Sequence, residues 1–340
     1  MPKRIDWEKV GWGFMGMLAS SGQTPDTVQN RTNGQDGNMG KQPPVSTPAD
    51  KWRLEYRLKS TNYLDDPTII FKFGGSAWRQ ESWQQIIEVR IQQLKELHRR
   101  YPVVVTTGGG RVQEISKDMY ERLGISEATY RESAGRALAT QAQTLADLLG
   151  DKGLYIEPDA LRYITSGMLK ERIPVVSLLG KDYLDFVEIE ENGRKRHVNS
   201  IPEDQSDAHT NIIGHYLGQR GAVYAKATDG IWVVDPNVKP EDGEIYTRLQ
   251  AELKRLGHER NVMVPSLKAT DVLEGKIIRT GKDNRSQHLA ETLGLRLYLN
   301  PESTVQSLQV IDINNPEHVR RAFEGYAKGR YNIGSTITKG

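Results

Sequence analysis

Two patterns of apolar and polar positions alternate along the chain after about residue 64. Longer segments at 82–101 and 111–149 carry apolar residues at helical spacing, with a break near Gly124. Short apolar runs predict buried strands, and they are "TIIFKF" (68–73), "PVVVTT" (102–107), "GLYIE" (153–157), "IPVVSLL" (173–179), "AVYAKA" (222–227) and "LQVIDI" (308–313). Strands that alternate with helices indicate a mostly parallel sheet covered on both faces. The pattern therefore predicts an α/β fold, a three-layer αβα sandwich with a mostly parallel central sheet.

Three segments depart from this alternation. Residues 20–50 are rich in Gly, Pro, Asn, Gln, Ser and Thr, so they cannot bury enough surface to offset their ordering entropy. We predict an N-terminal arm over 1–63, extended or partly disordered, and one domain over 64–340, with an uncertain insert at 238–302. The charged stretch "EIEENGRKRHV" (188–198) predicts a hairpin that turns at Asn192-Gly193.

Composition narrows the class of protein. The 340 residues carry a net charge of +2, which gives no strong field toward nucleic acid or an anionic membrane. There are no cysteines, which excludes disulfides, thiolate metal sites and a cysteine nucleophile. The one membrane-like run, "VGWGFMGMLA" (10–19), is too short to span and contains three glycines. We expect a cytoplasmic protein with neither a nucleic-acid nor a membrane partner.

Two glycine loops follow predicted strands. Lys72 lies near the end of the first strand and is followed by Gly74, Gly75 and Ser76. Glycines let backbone N–H groups approach phosphate oxygens, and a lysine supplies positive charge. The spacing is not that of a Walker A loop, and a plain strand-to-helix turn is the alternative interpretation.

The second loop is the triplet Gly108, Gly109 and Gly110, which Arg111 follows at the start of a helix. A glycine-rich helix N-terminus is an anion-binding arrangement. In parallel sheets, ligands bind beyond the carboxyl ends of the strands. Two such loops in one α/β domain favour phosphate binding over two unrelated turns.

Asp207 stands in "SIPEDQSDAHTNIIG" (200–214), just before an apolar helical pattern. From its position alone it could be a helix cap, a metal ligand or a catalytic residue. Further on, "AVYAKATDGIWVVDPN" (222–237) places Lys226 toward the end of a strand, before two turns of ordinary composition.

The chain resembles the amino-acid kinase family in the order of five motifs. They are "KFGG", "TTGGG", "SDAHTNIIGHYLG", "KATDGIWVVDPN" and "VIDINNPEHVRRAFEGYAKGRYNIGSTIT". The resemblance covers residues from about 67 to 339. Within the family, it is strongest to the branch that uridylate kinase shares with the molybdenum storage protein. It implies the amino-acid kinase fold, a site for ATP and a small anionic acceptor, and a homo- or hetero-oligomer, with a hexamer favoured. Mg²⁺ would lie mainly on phosphate oxygens, with no residues predicted as its ligands.

The resemblance also implies residue roles. Lys72 and Lys226 would neutralise the transferring phosphoryl group, and Asp207 would hold both lysines in place. Arg136 could contact the acceptor, with a solvated helix arginine as its alternative. The implied nucleotide-binding residues are Gly74, Gly75, Ser76, Thr228, Asp229, Gly230, Trp232, Asp235, Pro236 and Asn237. The implied acceptor-binding residues are Gly108, Gly109, Gly110, Arg111 and Arg136.

Departures from the family pattern bear on whether the chain is closer to the uridylate kinases or to the storage protein. Uridylate kinases usually have Asn after the triplet and a Thr-Thr-Asp at the helix start, whereas this chain has Arg111 and Gln205-Ser206-Asp207. The Ile-Pro of "SIPEDQSD", the spacing in "KATDG" and the long arm are similar to the storage protein. We therefore expect ATP-dependent handling or storage of molybdate or tungstate. The alternatives are a kinase for UMP or a related small molecule, and a non-catalytic nucleotide-binding assembly protein.

Overall fold

The computed structural model describes residues 55–58, 64, 67–178, 187–191, 194–197, 206–234, 238–273, 303–330 and 333–339. The strands are β1 Glu55–Leu58, β2 Ile69–Phe73, β3 Val103–Thr107, β4 Gly153–Ile156, β5 Ile173–Val176, β6 Val187–Glu191, β7 Arg194–His197, β8 Gly221–Lys226, β9 Ile231–Trp232, β10 Met263–Val264, β11 Ser266–Lys268, β12 Ser307–Asp312 and β13 Ser335–Thr338. The α-helices are α1 Trp83–His98, α2 Gly110–Leu123, α3 Glu127–Leu149, α4 Ser166–Glu171, α5 Ser206–Tyr216, α6 Glu244–Arg255, α7 Ala269–Leu273 and α8 Pro316–Ala327.

The central sheet has eight strands in the order β11-β13-β12-β8-β2-β3-β5-β4. Every neighbouring pair is parallel except β12 and β13. β2 lies between β3 and β8, so the ends of these three strands meet at one edge of the sheet. This edge therefore carries the two glycine loops and Lys226 side by side.

Helices cover both faces of the sheet, which is why its strands are apolar on both sides. On one face, Ile70 and Tyr224 pack in a buried cluster with Ile213 of α5. On the other face, Phe71 packs in a second cluster with Leu145 of α3, and its ring lies 5.5 Å from that of Phe323 in α8. The predicted three-layer αβα sandwich with a mostly parallel sheet is confirmed.

The charged hairpin forms as predicted, since β6 and β7 pair antiparallel with Glu191 opposite Arg194. β6 also pairs antiparallel with β1, which falls inside the predicted arm. An ordered strand was not expected before residue 64, because "EYRL" offers little apolar surface. Pairing with β6 supplies backbone hydrogen bonds that local composition does not reveal.

The region from 238 to 302 is partly described, and that part is tied to the main fold. α6 packs Leu249 and Leu253 against Val233 and Val234, and β11 adds a parallel strand beside β13. β9 pairs with β10 at Ile231 and Trp232, and the next amide, that of Val233, donates to the Val262 carbonyl at 3.1 Å. None of the described helices is long and apolar enough to cross a membrane.

Candidate active site

Asp207 lies between Lys72 and Lys226 at the carboxyl edge of the sheet. One carboxylate oxygen accepts a hydrogen bond from the Lys72 ammonium, and the other accepts one from Lys226 at 2.5 Å. The Lys72 side chain is 1% exposed, Asp207 7% and Lys226 24%. Two ammonium groups share one carboxylate, so the cluster keeps a net positive charge that opens to solvent on the Lys226 side. This arrangement suits an incoming anion.

Burial and mutual attraction shift two pKa values in this cluster. Burial lowers the pKa of Lys72 to about 8, although the Asp207 carboxylate opposes that shift. Burial alone would raise the pKa of Asp207, but Lys226 and Lys72 lower it to about 2. Asp207 is therefore an anion at neutral pH, and Lys72 is an ammonium whose proton is held less tightly than usual.

The first turn of α5 holds Asp207 in position through buried polar contacts. Lys72 Nζ donates to Ser206 Oγ at 2.6 Å, and the Tyr224 hydroxyl lies 3.1 Å from the Asp207 carbonyl oxygen. Thr210 donates to the Ser206 carbonyl at 2.9 Å and lies 3.0 Å from the hydroxyl of Thr106. Because Tyr224 stands opposite Lys72 in the paired strands β8 and β2, sheet and helix position the carboxylate together.

The two glycine loops contact each other backbone to backbone. A Cβ on Gly108 would lie 2.5 Å from the nitrogen of Gly75, and a Cβ on Gly74 would lie 2.8 Å from the Ala225 carbonyl oxygen. The Gly108 amide donates to the Phe73 carbonyl at 2.8 Å. Only glycine allows this approach, which leaves backbone rather than side chains at the junction. Ser76 lies beside it, where its hydroxyl accepts from the Ala227 amide at 3.0 Å.

Two buried side chains, Trp78 and Gln141, hold the glycine triplet in place through hydrogen bonds. The Trp78 indole donates to the Thr107 hydroxyl at 2.9 Å, and that hydroxyl donates to the Gly108 carbonyl at 3.2 Å. Gln141 of α3 donates through Nε2 to the Gly109 carbonyl at 2.9 Å. The Trp78 side chain is buried, and its ring lies 5.7 Å from that of Trp83.

A turn follows Lys226 on the other side of the cluster. The Trp232 indole donates to Asp229 at 2.8 Å, and the Thr228 hydroxyl donates to the Gly230 carbonyl at 3.1 Å. Ser335 of β13 fixes the turn, because its hydroxyl accepts from the Ile231 amide at 2.7 Å and donates to the Val264 carbonyl at 2.5 Å. The other nucleotide-binding predictions, Asp235, Pro236 and Asn237, lie outside the described residues.

Both predicted acceptor arginines are exposed. Arg111 donates to the Arg79 carbonyl at 3.2 Å, so it remains next to the glycine triplet. Arg136 is 75% exposed and pairs with Glu132 one turn earlier in α3. The structure therefore does not bring Arg136 into the buried cluster. Within the described part of the chain, no group of three or more His, Asp or Glu side chains could hold a metal ion.

Three supporting residues were missed by the sequence analysis: Gln141, Tyr224 and Ser335. Gln141 had a detectable signal, because it interrupts an apolar stripe formed by Ala134, Leu138, Leu145 and Leu149 of α3. Tyr224 and Ser335 carried no local signal, since their partners lie on distant strands and helices.

Comparisons with known proteins find similarity to uridylate kinases, in sequence and in fold. No family model matches the chain. The chain is similar to a uridylate kinase of Methanococcoides burtonii, with 23% identity over 210 residues that make up 62% of this chain and 81% of that protein. It also resembles the crystal structure of UMP kinase from Ureaplasma parvum, with a TM-score of 0.50, 12% identity, and coverage of 81% of this chain and 99% of that chain. At that identity the structural likeness bears on the fold alone.

Proposed function

We propose that this chain is an ATP-dependent phosphotransferase of the amino-acid kinase family, with UMP as the first acceptor to test. The observation that carries the proposal is the buried Asp207 carboxylate between Lys72 and Lys226, at the strand ends beside two touching glycine loops. The similarity to a uridylate kinase supports the kinase function over the alternatives. That relative is the reason to test UMP before other acceptors.

Phosphoryl transfer requires positioning and charge stabilisation more than covalent chemistry from the protein. An acceptor oxygen attacks the γ-phosphorus of ATP, the bond from that phosphorus to the β–γ bridging oxygen breaks, and its electron pair leaves with ADP. Lys72 and Lys226 would stabilise the negative charge on the transferring oxygens. Asp207 would keep the two ammonium groups at a fixed separation and would not itself move a proton.

The residues present fit a nucleotide on one side and an acceptor on the other. Gly74, Gly75 and Ser76 would face the nucleotide phosphates, and the turn formed by Thr228, Asp229, Gly230 and Trp232 would border the adenosine. Gly108 to Gly110 and Arg111 would face the acceptor. Mg²⁺ would lie mainly on the phosphate oxygens of the nucleotide.

The molybdate or tungstate storage hypothesis stays a prediction without support from the relatives found. It rested on the Ile-Pro ahead of Asp207, the spacing of "KATDG" and the long N-terminal segment. The hexamer, the arm over 1–63 and the cytoplasmic location are likewise proposals. Arg136 keeps a proposed acceptor role only if a bound acceptor draws it away from Glu132.

The decisive experiment is ADP release by the full-length protein with ATP, Mg²⁺ and UMP. We expect ADP and UDP in equal amounts, at least ~100-fold less product from Lys72→Met, and unchanged activity in Lys170→Met, an exposed lysine of α4. A panel of other small phosphorylated or carboxylated acceptors tests whether UMP is the preferred one.

Three results would count against this proposal. The absence of any ADP release would leave a non-catalytic nucleotide-binding assembly protein, and ADP release that no acceptor stimulates would leave an ATPase. Retention of molybdenum or tungsten after growth in the oxyanion, together with that result, would favour storage.

A further inference from the structure

We propose that Gln141 is a positioning residue that directs the Gly110 amide into the junction of the two glycine loops, and so determines affinity for the acceptor. This inference rests on the proposed function, because it takes the glycine triplet as the acceptor side of a phosphotransferase site. Gln141 itself does not touch the acceptor in this proposal. It acts through the peptide bond between Gly109 and Gly110.

The geometry begins with the Gly109 carbonyl. Gln141 is 8% exposed, lies in the middle of α3 and donates through Nε2 to that carbonyl at 2.9 Å. The chain has no cis peptide bond among its described residues, and in a trans peptide the C=O and N–H groups point in opposite directions. With the Gly109 carbonyl turned toward α3, the Gly110 N–H must point away from α3.

The opposite side is the first glycine loop. The Gly110 nitrogen lies 3.3 Å from the position that a Cβ on Gly75 would occupy. The Gly110 N–H therefore faces the space beside Gly75, where the two loops meet. Gly110 is the first residue of α2, whose N-terminal amides have no partner within the helix and favour negative charge. The Gly109 carbonyl also accepts from the Gln113 amide of α2 at 3.3 Å, and the shorter bond from Gln141 adds a second restraint on which way the Gly110 N–H points.

Gly110 is held in place by its surroundings as well. Its backbone has φ +54°, and an added Cβ would lie 2.7 Å from Trp78 Cβ and 3.0 Å from Gln141 Nε2. Trp78 and Gln141 therefore pack directly over this glycine. A side chain at position 110 would displace both and turn the peptide.

The Oε1 atom of Gln141 indicates that this residue was not selected to stabilise the folded state. Its Oε1 is buried and has no hydrogen-bond partner among the described residues. A buried acceptor without a partner is unfavourable for folding, whereas an apolar residue would fit the stripe of α3 without that cost. A glutamine at this position makes sense if its donor is needed to orient the Gly109–Gly110 peptide.

The test compares two variants of the same helix in the full-length protein. Gln141→Met keeps the length of the side chain and removes both polar atoms. Gln143→Met is the matched control, because Gln143 is exposed and its side chain, among the described residues, bonds only to Asp147, at 2.8 Å. Calorimetry measures the Kd for UMP and, separately, for ATP with Mg²⁺, and hydrogen exchange follows the amides of residues 108–111.

We expect Gln141→Met to weaken UMP binding roughly tenfold or more, the scale of one lost hydrogen bond to an anion, with ATP affinity changed less than about threefold. Exchange at residues 108–111 should accelerate, while the melting temperature stays close to that of wild type. Gln143→Met should match wild type in all four measurements.

Equal losses of UMP and ATP affinity would mean a general structural role and would overturn the inference. So would UMP affinity and amide exchange in Gln141→Met that match those of Gln143→Met. If the wild-type protein neither binds nor phosphorylates UMP, it is the proposed function that fails. Exchange at residues 108–111 then decides alone whether Gln141 holds this peptide, and unchanged exchange rejects it.

Discussion

Lys72 is fully buried, and its ammonium donates to Asp207, a residue 135 positions later in the chain. The pair exists because β2 ends next to β8 and α5 begins above that edge. An isolated buried ion pair contributes little to stability. Here a second cation, Lys226, shares the carboxylate and leaves excess positive charge facing solvent, which indicates a binding role for the cluster.

Replacing Asp207 with Asn should inactivate the protein and destabilise it. The change leaves two ammonium groups close together with no anion between them, a loss of roughly 3–5 kcal/mol for a buried pair. Urea unfolding measures the stability, and ADP release measures the activity. The matched control is Asp118→Asn, which removes an exposed carboxylate that pairs with Arg122. That variant should change the free energy of unfolding by less than about 1 kcal/mol.

The stabilisation from Asp207 should disappear in acid. Its pKa in the folded protein is about 2, below the ordinary value of 3.8, so the folded state binds fewer protons than the unfolded state between these values. The stabilisation is complete above about pH 4 and is lost as the pH falls toward 2. The difference in unfolding free energy between wild type and Asp207→Asn, followed from pH 6 to pH 2, should shrink over that range. A constant difference would contradict the lowered pKa.

Activity should decline above about pH 8 as Lys72 loses its proton. Burial lowers its pKa to about 8 from 10.5, and the neutral amine cannot stabilise a phosphoryl group. The profile of kcat/KM for ATP reports ionisations of the free enzyme, so its alkaline limb should fall there. A profile that stays flat to pH 10 would remove Lys72 from the charge-stabilising role.

Lys72 should also affect stability in the opposite direction to Asp207. Its folded pKa lies below its unfolded value, so the charged form opposes folding at neutral pH, and this penalty fades as the pH rises from about 8 to 10.5. Wild type should therefore gain stability relative to Lys72→Met over that interval. Urea titrations of both proteins at several pH values measure the difference, in which the titration of groups distant from Lys72 cancels.

Substitution of Gly108 by Ala should disrupt the junction of the loops. The new Cβ would lie 2.5 Å from the Gly75 nitrogen, a backbone atom that cannot move aside without shifting the first loop. We expect a fall in melting temperature and the loss of both ATP and UMP affinity. Gly167→Ala is the control, since a Cβ there meets nothing nearer than Thr165 Oγ1 at 3.8 Å and alanine favours the helix. It should be neutral or slightly stabilising.

Much of this site could be predicted from sequence because its parts stand at strand ends. Lys72 lies near the end of an apolar run that predicts a buried strand, and Gly74 and Gly108 each follow such a run. Asp207 precedes an apolar helical pattern. The contact between the loops could not be predicted, because it depends on β2 lying beside both β3 and β8. Arg136 shows the limit of helix patterns. Its place in the sequence put it near the triplet, but the phase of α3 turns it outward to Glu132.

Because Ser335 lies near the end of the sequence, the turn after Lys226 can form only late in the synthesis of the chain. The turn after Lys226 depends on this hydroxyl, which is made 104 residues after its partner Ile231. At ~5–20 residues per second, the ribosome adds Ser335 roughly 5–20 s later. Until Ser335 is made, β9 and β10 lack this anchor, and β12, once made, lacks its antiparallel neighbour β13. A nascent chain would therefore acquire nucleotide affinity only once β13 has emerged, so binding of a nucleotide analogue to stalled chains of increasing length should appear late and abruptly.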